Sequence, residues 1–363
     1  MKTLKQVCKK NWYIIVATLL LAICSEVLLG IMVFDKRYFN SAEEFSFYGG
    51  IIVLRFFLLF AGVVVTYISI NIFRMKYSAS IATVLMVFAT ICQENELNAL
   101  FNYYSLCFVA AMISLAFYYV SYCKESIVHT ILYMVEISVL CYTLFYEIEF
   151  YMVVLMHVFL VVTNNNSIKR KSVKVINWIF TGVSSAMLIS TFVIRLINQM
   201  EYRYMDISDA EGLMEIGYNA RETTLLLEKM MIATEDFATS EFFGEFANES
   251  YAYNLAKIFG YYGNFVGVVM VMLVVAFFTS VLIGCSKKQE KMKPALGATV
   301  IILMVRIISA FLINFGFISI LESHMPFLTL CTCGGFLVGL ILGIIFAADK
   351  ETVFKENKLS YER

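Results

Sequence analysis

Ten apolar runs, separated by loops of alternating charge, dominate this chain of 363 residues. They cover 11–34, 50–73, 78–93, 98–122, 127–145, 147–163, 175–198, 255–284, 295–321 and 326–348. Most reach or approach the ~20 residues with which an apolar helix crosses a bilayer. Hydrocarbon offers a backbone no partners, so a spanning segment must bond within itself, as a helix does. With 60% hydrophobic residues, the chain falls outside the composition of a soluble domain. The expected fold is all-α: a single polytopic membrane domain over 1–363 with ten transmembrane helices.

Basic residues orient the bundle. The N-terminal segment, the loops at 74–76, 124, 169–174 and 287–293, and the tail 349–363 hold nineteen of the 28 Lys and Arg. The opposite gaps hold only Lys36, Arg37, Arg203, Arg221 and Lys229. Basic loops stay cytoplasmic, so both termini are expected inside and 349–363 reads as a cytoplasmic tail. Trp12 and Trp178 stand at cytoplasmic helix starts, where amphipathic rings prefer the interface. The first run is long and has no small-residue cleavage site behind it, so it reads as an anchor rather than a removed leader. Nine Cys, mostly inside or at the ends of runs, read as apolar fillers rather than a disulfide framework. With two prolines, most spans are expected to be straight. There is no nucleic-acid patch and no internal repeat.

The one long polar segment is 199–254, placed outside between helices seven and eight. Its twelve acids face three bases. Glu222, Lys229 and Asp236 recur every seven residues, with Leu226, Met230, Ala233 and Phe237 along another side. That spacing predicts an amphipathic helix on the membrane surface or on the bundle's outer end. A long, composed loop on a membrane protein is more often functional than passive; the plainer reading is a solvated acidic face.

A charge at mid-bilayer costs at least ~2.5–3.5 kcal/mol, so charges within the runs should face protein or a wet cavity. Glu136 is the most central. Arg55, Arg195 and Lys257 lie near outer ends, where long side chains can snorkel. Arg306 sits near the middle of the ninth run, an expected partner for Glu136 or the wall of a polar cavity. Glu26 lies toward the outer half of the first run. His129 and His157 are expected to pack between helices rather than relay protons.

Asn314-Phe315-Gly316, Pro326-Phe327-Leu328-Thr329 and Gly334-Gly335 lead into the last run. This string resembles the SEDS family of cell-wall membrane proteins (the FtsW, RodA and SpoVE type), whose last two spans are joined by an N-x-G … P … L-P-F-x-S-x-G-G pattern. Ten spans, inner termini and a large outer loop between spans seven and eight are features of that family too. Tyr202-Arg203 with Ile216-Gly217-Tyr218-Asn219 looks like its arginine segment and G-Y-Q stretch. Leu255-Ala256-Lys257-Ile258, followed by Gly263-Asn264-Phe265-Val266-Gly267, looks like the start of its eighth span.

The resemblance implies a role in bacterial cell-envelope assembly at the plasma membrane, in division or cell-shape maintenance. The implied activity is polymerisation of glycan strands, by glycosyl transfer from a lipid-linked disaccharide-peptide on undecaprenyl diphosphate. A transpeptidase or other membrane protein is the implied partner, and membrane lipids surround the chain. Arg203, Tyr218, Lys257, Arg306, Asn314, Gly316, Pro326, Gly334 and Gly335 are the implied substrate-binding residues. The family's base, an Asp before the eighth span, aligns here with Ala252 or Tyr253, which take no proton at neutral pH. Glu249 is the nearest acid and the candidate general base. The family's P-S-E…K stretch has no counterpart near 102–106. Tyr261-Tyr262 replace its paired acids, and Thr332 or Cys331 its serine. No metal site and no cofactor are expected, a divalent cation being left open. Two alternatives stand beside the polymerase. One is a catalytically silent SEDS-like scaffold or regulator that binds a precursor or a membrane partner. The other is a precursor transporter running through the Glu136 and Arg306 region, against which the sequence shows no pair of broken helices.

Overall fold

The computed structural model describes residues 2–34, 42–73, 78–93, 103–144, 148–204, 254–286, 293–315, 325, 327, 328 and 335–348. Among these there is no strand. A short helix, α1 (Lys2–Lys10), leads into α2 (Trp12–Phe34), α3 (Ala42–Phe73) and α4 (Ser78–Gln93). Helix α5 (Tyr103–Tyr118) ends in a π-helical turn, Tyr119–Cys123. There follow α6 (Ile127–Thr143), α7 (Ile148–Asn164), α8 (Lys171–Tyr204), α9 (Asn254–Ser286) and α10 (Lys293–Asn314). The last described helix is α11 (Gly335–Ala348).

Among the described residues five stretches are long and apolar enough to cross a membrane: Trp12–Ile31, Ile148–Ser167, Lys171–Ile197, Ile258–Ser286 and Lys293–Asn314. Val53–Tyr67, Cys107–Cys123, Ile127–Thr143 and Gly335–Ala348 are shorter apolar helices. The outward faces are apolar as well: Val53, Phe57 and Phe60 on α3, and Ile179, Val183 and Ile194 on α8, are exposed. Apolar surface on this scale belongs against lipid, and the chain is a membrane protein.

Helix α4 packs extensively on α5, α7 on α10 and α2 on α9. Helices α2 and α9 run antiparallel. The Tyr262 hydroxyl donates to the Leu28 carbonyl at 2.7 Å toward one end, and Gly284 meets the Ile14 side chain toward the other. Helices α7 and α10 are antiparallel too: Glu149, at the start of α7, meets Arg306, while Gly297, at the start of α10, lies against the Phe159 ring.

Helices α3 and α11 run parallel, and their contact is backbone on backbone. Gly335 lies on the Arg55 carbonyl, Gly339 on the Leu59 carbonyl, and Gly343 on Val63 and Thr66. A Cβ at Gly335 would come within 2.7 Å of that carbonyl oxygen. Lipid tails are as apolar as leucine, so close approach through small residues replaces hydrophobic burial as the force between spans.

Two features depart from the expected straight spans. Helix α9 is broken at Gly263, whose φ of 83° and ψ of 172° lie in a region open to glycine. The tenth run does not start as a helix: Phe327 and Leu328 form a turn, and the described part of α11 is Gly335–Ala348. Proline at 326, next to this turn, offers no amide donor to a helix.

The interior also holds a polar chain. His157 is fully buried. Its Nε2 lies 3.1 Å from Thr181 Oγ1, and the threonine hydroxyl donates to the Asn177 carbonyl at 2.8 Å. Thr181 therefore accepts from Nε2–H, and Nδ1 accepts from the Tyr133 hydroxyl at 3.3 Å. A neutral imidazole, satisfied on both sides, ties α6, α7 and α8 together, which is the packing role expected for His157.

Candidate functional site

Arg55 projects from α3 into the bundle and is 2% exposed. The snorkelling expected of it does not occur. Its Nη1 donates to Glu26 Oε2 at 3.1 Å, and its Nε lies 3.1 Å from Oε1. The guanidinium thus faces both oxygens of one carboxylate from α2, with a single hydrogen bond, from Nη1, inside a close ion pair. The remaining Nη2 donates to the Phe327 carbonyl at 2.6 Å.

Phe327 is the described non-glycine residue with positive φ, 65°. A bulky side chain in that region costs about 1–3 kcal/mol and persists only where its surroundings hold it. Three contacts do so here. Arg55 takes its carbonyl, its ring packs edge-on to Phe277 of α9 at 6.3 Å, and Leu328 N–H donates to the Met325 carbonyl at 3.1 Å. Met325, Phe327 and Leu328 are all buried. Non-helical backbone inside a bundle needs a donor for its carbonyl, and Arg55 provides one. Gly335 then sets α11 directly on the Arg55 backbone.

Asn314 closes the next junction. Its Nδ2 donates to the Ala310 carbonyl at 2.7 Å, while its Oδ1 accepts from the Ala256 N–H at 2.9 Å. Ala256 lies in the first turn of α9, where amide donors have no helical partner. Asn314 therefore caps α9 from a neighbouring helix, and both ends of its amide are engaged.

Arg306 pairs with Glu149, not with Glu136: Nη2 to Oε1 is 3.0 Å, and both side chains are buried. The reason is adjacency. Helix α10 packs on α7, which carries Glu149, whereas Glu136 lies on α6. Glu136 Oε1 instead accepts from Thr83 Oγ1 of α4 at 3.1 Å. The Arg195 guanidinium stands over the Tyr151 ring at 5.8 Å, a cation–π distance.

The structure thus brings Arg55, Phe327 and Gly335 into one cluster and joins Asn314 to the start of α9. Glu136 and Arg195 stand apart from both. Glu249, Tyr218, Gly316, Pro326 and Gly334 lie outside the described residues, as does the helix expected at 222–237. Arg203 and Lys257 are described by backbone alone, in the last turn of α8 and the first of α9. Glu149 was missed as an intramembrane acid because it stands at the edge of its run. A surplus of buried arginines over recognised acids is the signal that would have found it. Among the described residues no group of three or more His, Cys, Asp or Glu is placed to hold a metal.

These groups can neutralise one another and hold backbone, and each of the two arginine sites carries its own carboxylate. Compared with known proteins, the chain matches no family model and no curated sequence.

Proposed function

We propose that this chain is a SEDS-like protein of bacterial cell-envelope assembly. It handles a lipid-linked disaccharide-peptide at the outer face of the plasma membrane and extends glycan strands by glycosyl transfer. The observation that carries this reading is a convergence. Two strings that resemble the family, one opening α9 and one leading into α11, are joined through Asn314 to Ala256. The second string also supplies Phe327 and Gly335 to the Arg55 cluster.

Ten spans with both termini inside belong to the same proposal. The antiparallel α2–α9 and α7–α10 pairs and the parallel α3–α11 pair fit that alternation. Helix α8, with 34 residues, is about 51 Å long at ~1.5 Å per residue. That exceeds the ~30 Å hydrocarbon core and carries the start of the acidic loop clear of it. In the reaction, a loop carboxylate, Glu249, takes the proton from the acceptor sugar hydroxyl. That oxygen bonds the donor's anomeric carbon, and undecaprenyl diphosphate leaves.

One observation favours the silent scaffold as the second reading. Arg55 and Arg306 hold protein carboxylates, and Asn314 holds protein backbone. None of the three is displayed for a diphosphate. The test is the purified full chain in lipid nanodiscs with a fluorescent undecaprenyl-diphosphate disaccharide-pentapeptide. Strands resolved on a gel establish the polymerase. Binding seen by native mass spectrometry without strands establishes the scaffold. Neither binding nor strands removes both.

A further inference from the structure

We propose that the exposed face shared by α4 and α6 is the docking site for a membrane-spanning helix of a partner protein, anchored by a basic side chain on Glu136. This stands apart from the glycan reading and does not need it. Glu136 sits near the middle of the 17-residue α6. At ~1.5 Å per residue it is about 10 Å or more from either end. Its Oε1 is engaged by Thr83, which is exposed on the facing flank of α4. Its Oε2 is shielded and meets no hydrogen-bonding group among the described residues.

The surroundings say what is missing. Leu132, Val135 and Val139 on α6, and Val84 and Val87 on α4, are exposed and apolar. They form a lipid-facing wall around one carboxyl group. Hydrocarbon gives that group neither charge nor hydrogen bond, and an acid at such a depth usually faces a partner or a wet cavity. A lipid headgroup stays at the interface, too far from the helix middle.

Toward the Ile127 end of α6 a polar layer is already closed on itself. The Tyr118 hydroxyl meets His129 Nδ1 at 2.7 Å, and the Cys123 thiol bonds the His129 carbonyl. The π-helical turn Tyr119–Cys123 brings the Tyr118 and Tyr122 rings to 5.7 Å and 5.5 Å from the imidazole. Such turns recur at functional sites. The chain's own solution for a buried acid is a base from another helix: Glu26 takes Arg55, and Glu149 takes Arg306. Among the described residues Glu136 has no such base, and its Oε1 lies with Thr83 on the exposed apolar face, where another helix can bring one.

The probe is a synthetic leucine-alanine transmembrane helix with one central lysine; its control carries leucine there. Association with the labelled full chain is read by energy transfer in phosphatidylglycerol–phosphatidylethanolamine vesicles. The lysine helix is expected to bind about tenfold more tightly than the control. Glu136→Gln, which keeps an acceptor for Thr83, is expected to erase that preference. A hydrophobic carbodiimide, which modifies membrane-embedded carboxyl groups, should label Glu136 in the free protein and label it several-fold less with the lysine helix present. Equal binding of the two helices overturns the proposal, as does a preference that survives Glu136→Gln. Labelling that the lysine helix does not reduce also overturns it and leaves Glu136 a site for a proton alone.

Discussion

Arg55 donates to the carbonyl of Phe327 at 2.6 Å while its other nitrogens face Glu26. One cation therefore stabilises an acid on α2 and a left-handed residue between α10 and α11. Glu26 precedes Arg55 by 29 residues and Phe327 follows it by 272, and the one guanidinium joins them.

Removing Arg55 should cost more than removing the pair. Arg55→Leu leaves a buried carboxylate without its counter-charge, a loss of about 3–5 kcal/mol. The double variant Arg55→Leu with Glu26→Leu removes both charges and should recover much of that stability. Recovery stays incomplete because the Phe327 carbonyl still lacks its donor. Thermal unfolding of the purified protein in detergent compares Arg55→Leu, Glu26→Leu and the double variant. Simple additivity of the two single losses would refute the coupling.

A glycine in the α3–α11 contact and one on the open side of α8 should respond oppositely to an added methyl group. At Gly339 an added Cβ meets the Leu59 carbonyl and the Gly62 backbone, which cannot move aside. Gly339→Ala should destabilise by about 1–3 kcal/mol through overpacking. Gly182, inside α8, has nothing within 4 Å of an added Cβ. Gly182→Ala should be neutral or stabilise by up to ~1 kcal/mol, because alanine forms helix more readily. Unfolding temperatures of the two variants should fall on opposite sides of the parent or straddle it closely.

Gly263 separates backbone strain from packing. Its φ of 83° disfavours any side chain, yet nothing lies within 4 Å of the added carbon. Gly263→Ala should therefore cost about 1–3 kcal/mol from the backbone alone. An unchanged unfolding temperature would mean that α9 can straighten at this point without loss.

Helices were legible in the sequence wherever apolarity and helicity coincide. The run at 11–34 became Trp12–Phe34, and 78–93 became Ser78–Gln93. They diverged where polar residues continue a helix beyond the membrane. Helix α3 starts at Ala42 rather than 50, and α8 runs from Lys171 to Tyr204 rather than 175–198. Apolarity reports the solvent, and Lys, Glu and Arg sustain a helix as well as most apolar residues do. The site was half legible. Arg55 and Arg306 stood out because arginine in an apolar run is costly. Their partners Glu26 and Glu149 depended on which helices are neighbours, and local pattern does not carry that information. The Asn314 motif was noticed, but its use as a cap for α9 needed the antiparallel α9–α10 contact.

Glu249 decides between the two functional readings, because a general base and a solvated loop acid respond differently to loss of charge. Glutamine keeps the size and hydrogen-bonding reach of the side chain but does not accept the acceptor hydroxyl's proton. If Glu249 is the base, Glu249→Gln should lower strand formation by about 10²–10⁴-fold. Precursor binding, measured separately by native mass spectrometry, should be unchanged, because the proton is transferred only as the new bond forms. Glu241→Gln, in the same acidic loop, serves as the control for a general loss of negative charge and should leave strand formation near the parent rate. Equal losses in both variants would point to loop charge rather than a base. Parent-level strand formation in Glu249→Gln would remove Glu249 from the chemistry.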